Sequence, residues 1–81
     1  MKNVIVISRC LKIKKSSQIK YIFHFKGVYL GLQVNSMELT SETVLKVGRD
    51  YLMRVQVRAY EDGILMGNIL TAHDLDDITS H

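Results

Sequence analysis

The sequence predicts an all-β fold, a small barrel of five strands. Three features lead there. Several segments alternate apolar and polar residues with the period of a strand, turn signals recur at short intervals, and 81 residues suffice for one domain but not for two. Apolar residues make up 47% of the chain, enough for a core without a metal or a crosslink. Closing the sheet removes the edges that so many short strands would otherwise expose. A sandwich ordinarily uses about seven strands, and an SH3-like barrel is the nearer competitor.

Taken in order, Val4 to Ile13 is rich in β-branched residues and turns basic at its end. Ile19 to Phe25 and Val28 to Val34 both alternate, and Lys26-Gly27 between them reads as a two-residue hairpin link. Such a link sets a register. His24 then opposes Tyr29, Ile22 opposes Gly31 and Lys20 opposes Gln33 on one face, while Phe23 with Leu30 and Tyr21 with Leu32 form the core side. Ser41 is placed to cap a short helical turn over Glu42 to Val47 that Gly48 ends, although Thr43 and Val44 suit an irregular crossing equally well. Tyr51 to Tyr60 alternates almost strictly, with Met53, Val55 and Val57 inward and Arg54, Gln56 and Arg58 outward. Glu61-Asp62-Gly63 makes a tight turn, and Ile64 to Ala72 is the last strand, with Gly67 marking a bulge. The expected organisation is one domain over residues 1–78, with residues 79–81 frayed.

The net charge of +3 is modest, but its distribution is not. Residues 1–37 hold seven basic residues and no acid, whereas residues 38–81 hold four basic and eight acidic ones. That asymmetry points toward a polyanionic partner, against the plainer reading that lysines keep exposed strands soluble. The single cysteine, Cys10, excludes an internal disulfide, and no cysteine or histidine spacing suits zinc. No apolar run is long enough to span a bilayer, and the opening apolar stretch is too short for a signal-peptide core. A cytoplasmic setting without membrane association is expected.

The two ends of the chain resemble the bacterial single-stranded-DNA-binding proteins and the related primosomal replication protein. Asn3-Val4-Ile5-Val6-Ile7-Ser8-Arg9-Cys10-Leu11 is similar to that family's opening strand, with Ser8 where the family has glycine. Val47-Gly48-Arg49-Asp50-Tyr51-Leu52-Met53-Arg54-Val55 looks like its glycine-led fourth strand. Tyr60-Glu61-Asp62-Gly63 matches its turn, and Ala72 to Ile78 resembles its closing segment. The resemblance covers about half of the chain in pieces. It implies an oligonucleotide/oligosaccharide-binding (OB) barrel, binding of single-stranded nucleic acid without catalysis, and self-association into dimers or tetramers. It also implies that Tyr29 lies near a family stacking position, that Lys14 and Lys15 lie in the first loop, and that Arg9 matches the first-strand arginine. The tight join of the second and third strands and the short acidic turn at Glu61-Asp62 depart from the pattern.

Nothing in the sequence assembles a catalytic centre. The serines lack a nucleophile elbow, the five glycines are isolated, and Cys10 has no base near it in sequence. Asp74, Asp76 and Asp77 are too few and too close for a calcium loop. Neither an enzyme nor a cofactor is expected. The reading that remains is a binding module for single-stranded nucleic acid, DNA before RNA, with Arg9, Lys12, Lys14, Lys15, Lys20, Arg54 and Arg58 meeting phosphates. Tyr29 stacks on a base, and Ile22 and His24 complete the platform. The alternative is an assembly module on the same barrel, prompted by Ile22 and Leu52 beside the charges.

Overall fold

The computed structural model describes residues 2–79. Five strands, β1 (Lys2–Lys15), β2 (Ile19–Tyr29), β3 (Leu32–Thr40), β4 (Asp50–Glu61) and β5 (Ile64–Asp74), are followed by one helical turn, α1 (Leu75–Thr79). The sheet closes on itself in the order β1-β2-β3-β5-β4, with β3 and β5 parallel and every other pair antiparallel. This is the all-β, OB-like barrel the sequence predicts. Among the described residues no helix is long and apolar enough to cross a membrane.

Strand β1 is long because it serves two neighbours. Lys2 to Arg9 pairs with β4, and Cys10 to Lys15 pairs with β2 after a bulge at Leu11. The alternation then sorts the side chains. Cys10, Tyr21, Phe23, Val34, Met37, Leu39, Tyr51, Met53, Val55, Val57, Leu65 and Ile69 fill the interior, and burial of such side chains is the main source of stability. Burial also pushes the Cys10 thiol up from its ordinary pKa, consistent with a small core residue and not a reactive one.

The expected link at Lys26-Gly27 is not a turn. Strand β2 runs on to Tyr29, and the turn is Leu30-Gly31, both with positive φ (51° and 79°). The register is therefore Ile22 with Glu38, Phe23 with Met37, His24 with Ser36 and Tyr29 with Leu32, with a bulge between His24 and Gly27. Gly27 has a different purpose from turning: a Cβ there would come within 2.7 Å of the Phe25 ring, which lies over it. The turn at Asp62-Gly63 is where the sequence places it, again with both residues at positive φ (50° and 81°).

No helix follows β3. Ser41 instead closes a local turn, its hydroxyl donating to the Thr43 carbonyl at 2.9 Å and accepting from the Thr43 amide. The chain crosses irregularly, and Leu45 drops into the barrel with 2% of its surface exposed. The hydroxyls of Tyr21 and Tyr51 accept the amides of Leu45 and Lys46, so the crossing is tied to the core at the base of the barrel.

The acidic end does not fray at once. Asp74 caps α1 by accepting the Asp76 amide at 2.9 Å, and Asp76 and Asp77 lie in the helix's first turn. Arg49 holds this end down through Asp74 at 2.9 Å and Asp76 at 3.4 Å. Residues 80–81 of the expected frayed end lie outside the described residues. The Arg49 hydrogen bond, with smaller help from its charge, holds the Asp74 carboxyl below its ordinary pKa, and Arg9 does the same for Asp50. Both carboxyls therefore bind fewer protons folded than unfolded near pH 4, and their contribution is lost as pH falls through the depressed folded values. Thermal melts from pH 7 to pH 3 are expected to show this decline. Arg49→Ala should melt lower at neutral pH and fall less steeply with acid; an unchanged acid slope would contradict the clasp.

Candidate functional site

The closed register gathers one set of charged side chains on the outside of the barrel. Lys12 stands opposite Ile22, and Lys14 opposite Lys20, so Lys12, Lys14, Lys20, Ile22 and His24 share the outer face of β1 and β2. Lys15 pairs with Ile19 beside the Ser16–Gln18 turn. Lys14 and Lys15 are thus the last residues of β1 and not loop residues. Two directly opposed lysines repel, and Glu38 relieves that repulsion from β3, 3.7 Å from Lys14 Nζ.

Next to this cluster an open groove of about 820 Å³ runs across the outer faces of β2, β3 and β5. Gln18 and Lys20 border one side, Ser41 to Thr43 form an end wall, and Arg58 borders the other side. Its floor is polar: Glu38, Thr40 and Asn68 lie there, with the Thr40 hydroxyl hydrogen-bonded to Asn68 Oδ1 at 2.8 Å. Met66, Ile69, Leu70 and Ala72 of β5 supply its apolar surface. Arg58 reaches this rim because β4 bulges there, the register stepping from Val57 with Gly67 to Ala59 with Met66. Among the described residues neither Lys20 nor Arg58 is in an ion pair.

The other expected site residues lie elsewhere. Tyr29 faces the interior side at the far end of the barrel, partly buried against the core, and so is parted from His24. It shares a small concavity with Lys2, Leu30, Val57, Ala59 and Tyr60. The stacking platform expected from a Lys26-Gly27 turn therefore does not form. Arg54 is exposed on β4, opposite Ile5 on β1 and Thr71 on β5; Thr71 lines the groove, but Arg54 does not. Arg9 is held by both carboxylate oxygens of Asp50, at 3.0 and 3.1 Å.

Sequence reasoning missed the groove's floor. Glu38, Thr40 and Asn68 come from strands that pair in parallel, a contact between segments some thirty residues apart that alternation alone does not reveal. The available signal was polar residues at outward positions of otherwise apolar strands. No family model matches the chain, and no curated protein or solved structure matches it either.

Proposed function

We propose that the protein is a non-enzymatic binder of single-stranded nucleic acid, DNA before RNA, and that the strand lies in the groove over β2, β3 and β5. The observation that carries this is the pairing of Lys12, Lys14 and Lys20 on one outer face, beside a polar groove whose opposite rim bears Arg58. OB barrels present their second and third strands to oligonucleotides; here the groove takes Lys20 from β2 and Glu38 and Thr40 from β3, and β5 supplies most of the rest. The cations answer phosphates. Thr40, Asn68 and Gln18 offer donors and acceptors to base edges, and Ile22 and Met66 offer apolar contact. Without Tyr29, bases are held by edge hydrogen bonds and aliphatic packing more than by stacking.

Fluorescence anisotropy with short single-stranded DNA and RNA oligonucleotides at two salt concentrations tests this. A strand meeting four cations loses about 50-fold in affinity between about 50 and 200 mM salt. Lys20→Glu with Arg58→Glu should weaken binding and reduce the salt slope by about 1.4, whereas Tyr29→Phe should leave it unchanged. Binding that ignores salt, or that survives the double charge reversal, overturns the proposal.

A second reading, a self-associating module, is favoured by apolar residues left in solvent. Ile5 and Ile7 on β1 are 74% and 60% exposed, next to Leu52 on β4.

A further inference from the structure

The β2–β3 hairpin carries a feature the nucleic-acid reading does not use. Its tip is Leu30, a bulky residue held at a φ of 51° and 67% exposed. Left-handed backbone suits glycine or asparagine, and a leucine there is locally strained. Exposure to water gives that side chain no return within the monomer. Val28 and Leu32 flank it, 71% and 48% exposed. An outlier of this kind, strained and apolar in solvent, points to contact with something else.

A receptor for such a knob lies beside it. Tyr29, Leu30, Val57, Ala59 and Tyr60 line a largely apolar concavity of about 450 Å³ with Lys2 and Arg58 at its edge. Its wall is fixed, because the Tyr60 hydroxyl donates to the Gln33 carbonyl at 2.7 Å and ties the hairpin to the end of β4. The hairpin's edges are open: β2 pairs with β1 only through Ile19 to Phe23, and β3 pairs with β5 only from Ser36 onward.

We infer that this end of the barrel is a self-complementary interface, in which two copies exchange Leu30 knobs about a two-fold axis. Knob and concavity are side by side on one surface, the arrangement an isologous contact requires. The charges around them fit the same symmetry. Lys2 and Arg58 edge the concavity, and Glu61 and Asp62 sit on the adjoining turn, whose Gly63 carbonyl accepts the Asn35 amide at 2.8 Å at the base of the hairpin. Among the described residues none of these four is in an ion pair. A patch that holds both signs apart from each other can satisfy itself when rotated by half a turn, whereas a partner of one sign leaves half of it unmatched.

The variant Leu30→Asn separates association from folding. Asn-Gly is the favoured pair for a two-residue hairpin turn with both φ positive, so the hairpin is relieved of strain while the knob is removed. Sedimentation velocity across a concentration series, without nucleic acid, should show wild type shifting to a dimer and Leu30→Asn remaining monomeric, at least tenfold weaker in association, with its melting temperature held or raised. Glu61→Lys should weaken the wild-type dimer. Ile5→Lys, on the separate β1–β4 face, should not. A wild type that stays monomeric, a Leu30→Asn protein that dimerises like wild type, or a dimer abolished by Ile5→Lys alone would each overturn the inference. Because Arg58 borders both the concavity and the groove, the association series is run without oligonucleotide, and the dimer and the oligonucleotide complex are scored separately.

Discussion

Gly67→Ala is expected to destabilise the barrel by about 3 kcal/mol, the upper end for an inserted methyl in a packed interior. Gly67 is buried on β5 and pairs on both sides, with Val57 of β4 and with Leu39 of β3. A Cβ there would be driven into the carbonyl oxygen of Gln56, with the Val57 Cα only 3.2 Å away. Those atoms are backbone, so no side chain can rotate aside. Relief requires moving β4 next to its bulge at Arg58, and that movement disturbs the register on which both the interior and the groove rim depend. A domain of 81 residues is stable by about 4–12 kcal/mol in all, so the loss is a large share. Gly31→Asn is the contrast, since nothing lies within 4 Å of a Cβ at Gly31 and asparagine tolerates its φ of 79°. Denaturant or thermal melts of the two variants should differ widely, and a Gly67→Ala protein as stable as wild type would mean that the β4–β5 spacing is not as tight as described.

What the sequence revealed and what it hid follow the range of the interactions. Alternation in Tyr51 to Tyr60 and the Asp62-Gly63 turn are local signals, and the strands and turn they announce are present. The Lys26-Gly27 error is also local in origin. A glycine after a lysine between two alternating runs reads as a turn, but here the glycine makes room for the Phe25 ring above it, and the true turn uses a leucine that hairpin preferences disfavour. One misplaced turn moved Tyr29 from the inner to the outer face and gave it His24 as a neighbour. The lysines survived that error because Lys12, Lys14 and Lys20 owe their common face to the β1–β2 pairing, which the misplaced turn does not touch. The groove floor was illegible for a further reason: the β3–β5 contact is parallel and joins Thr40 to Asn68 across the chain's irregular crossing and the whole of β4.

Leu45→Ala is expected to cost about 2–5 kcal/mol, the range for removing a buried leucine without collapse of the space it leaves. Few residues are so dependent on one another as this one and the crossing that carries it. Residues 41–49 include no helix or strand, so the backbone amides of Leu45 and Lys46 have only the Tyr21 and Tyr51 hydroxyls, at 3.3 and 2.9 Å, as described partners. Those hydrogen bonds hold because Leu45, buried in the same core cluster as Tyr21 and Tyr51, anchors the chain. Truncation removes the anchor and loosens the two amide–hydroxyl bonds at the base of the barrel, which adds a polar cost to the cavity cost. Leu45→Met, which preserves volume, should lose less than about 1.5 kcal/mol. Tyr21→Phe should lose about 1 kcal/mol by leaving the Leu45 amide unpaired. Since Ser41 to Thr43 wall one end of the groove, loosening the crossing should also weaken oligonucleotide binding while its salt dependence stays the same. Chemical denaturation of the three variants, followed by anisotropy on Leu45→Ala at a temperature where it remains folded, measures both effects. A Leu45→Ala protein with unchanged stability would place the crossing outside the cooperative unit of the barrel.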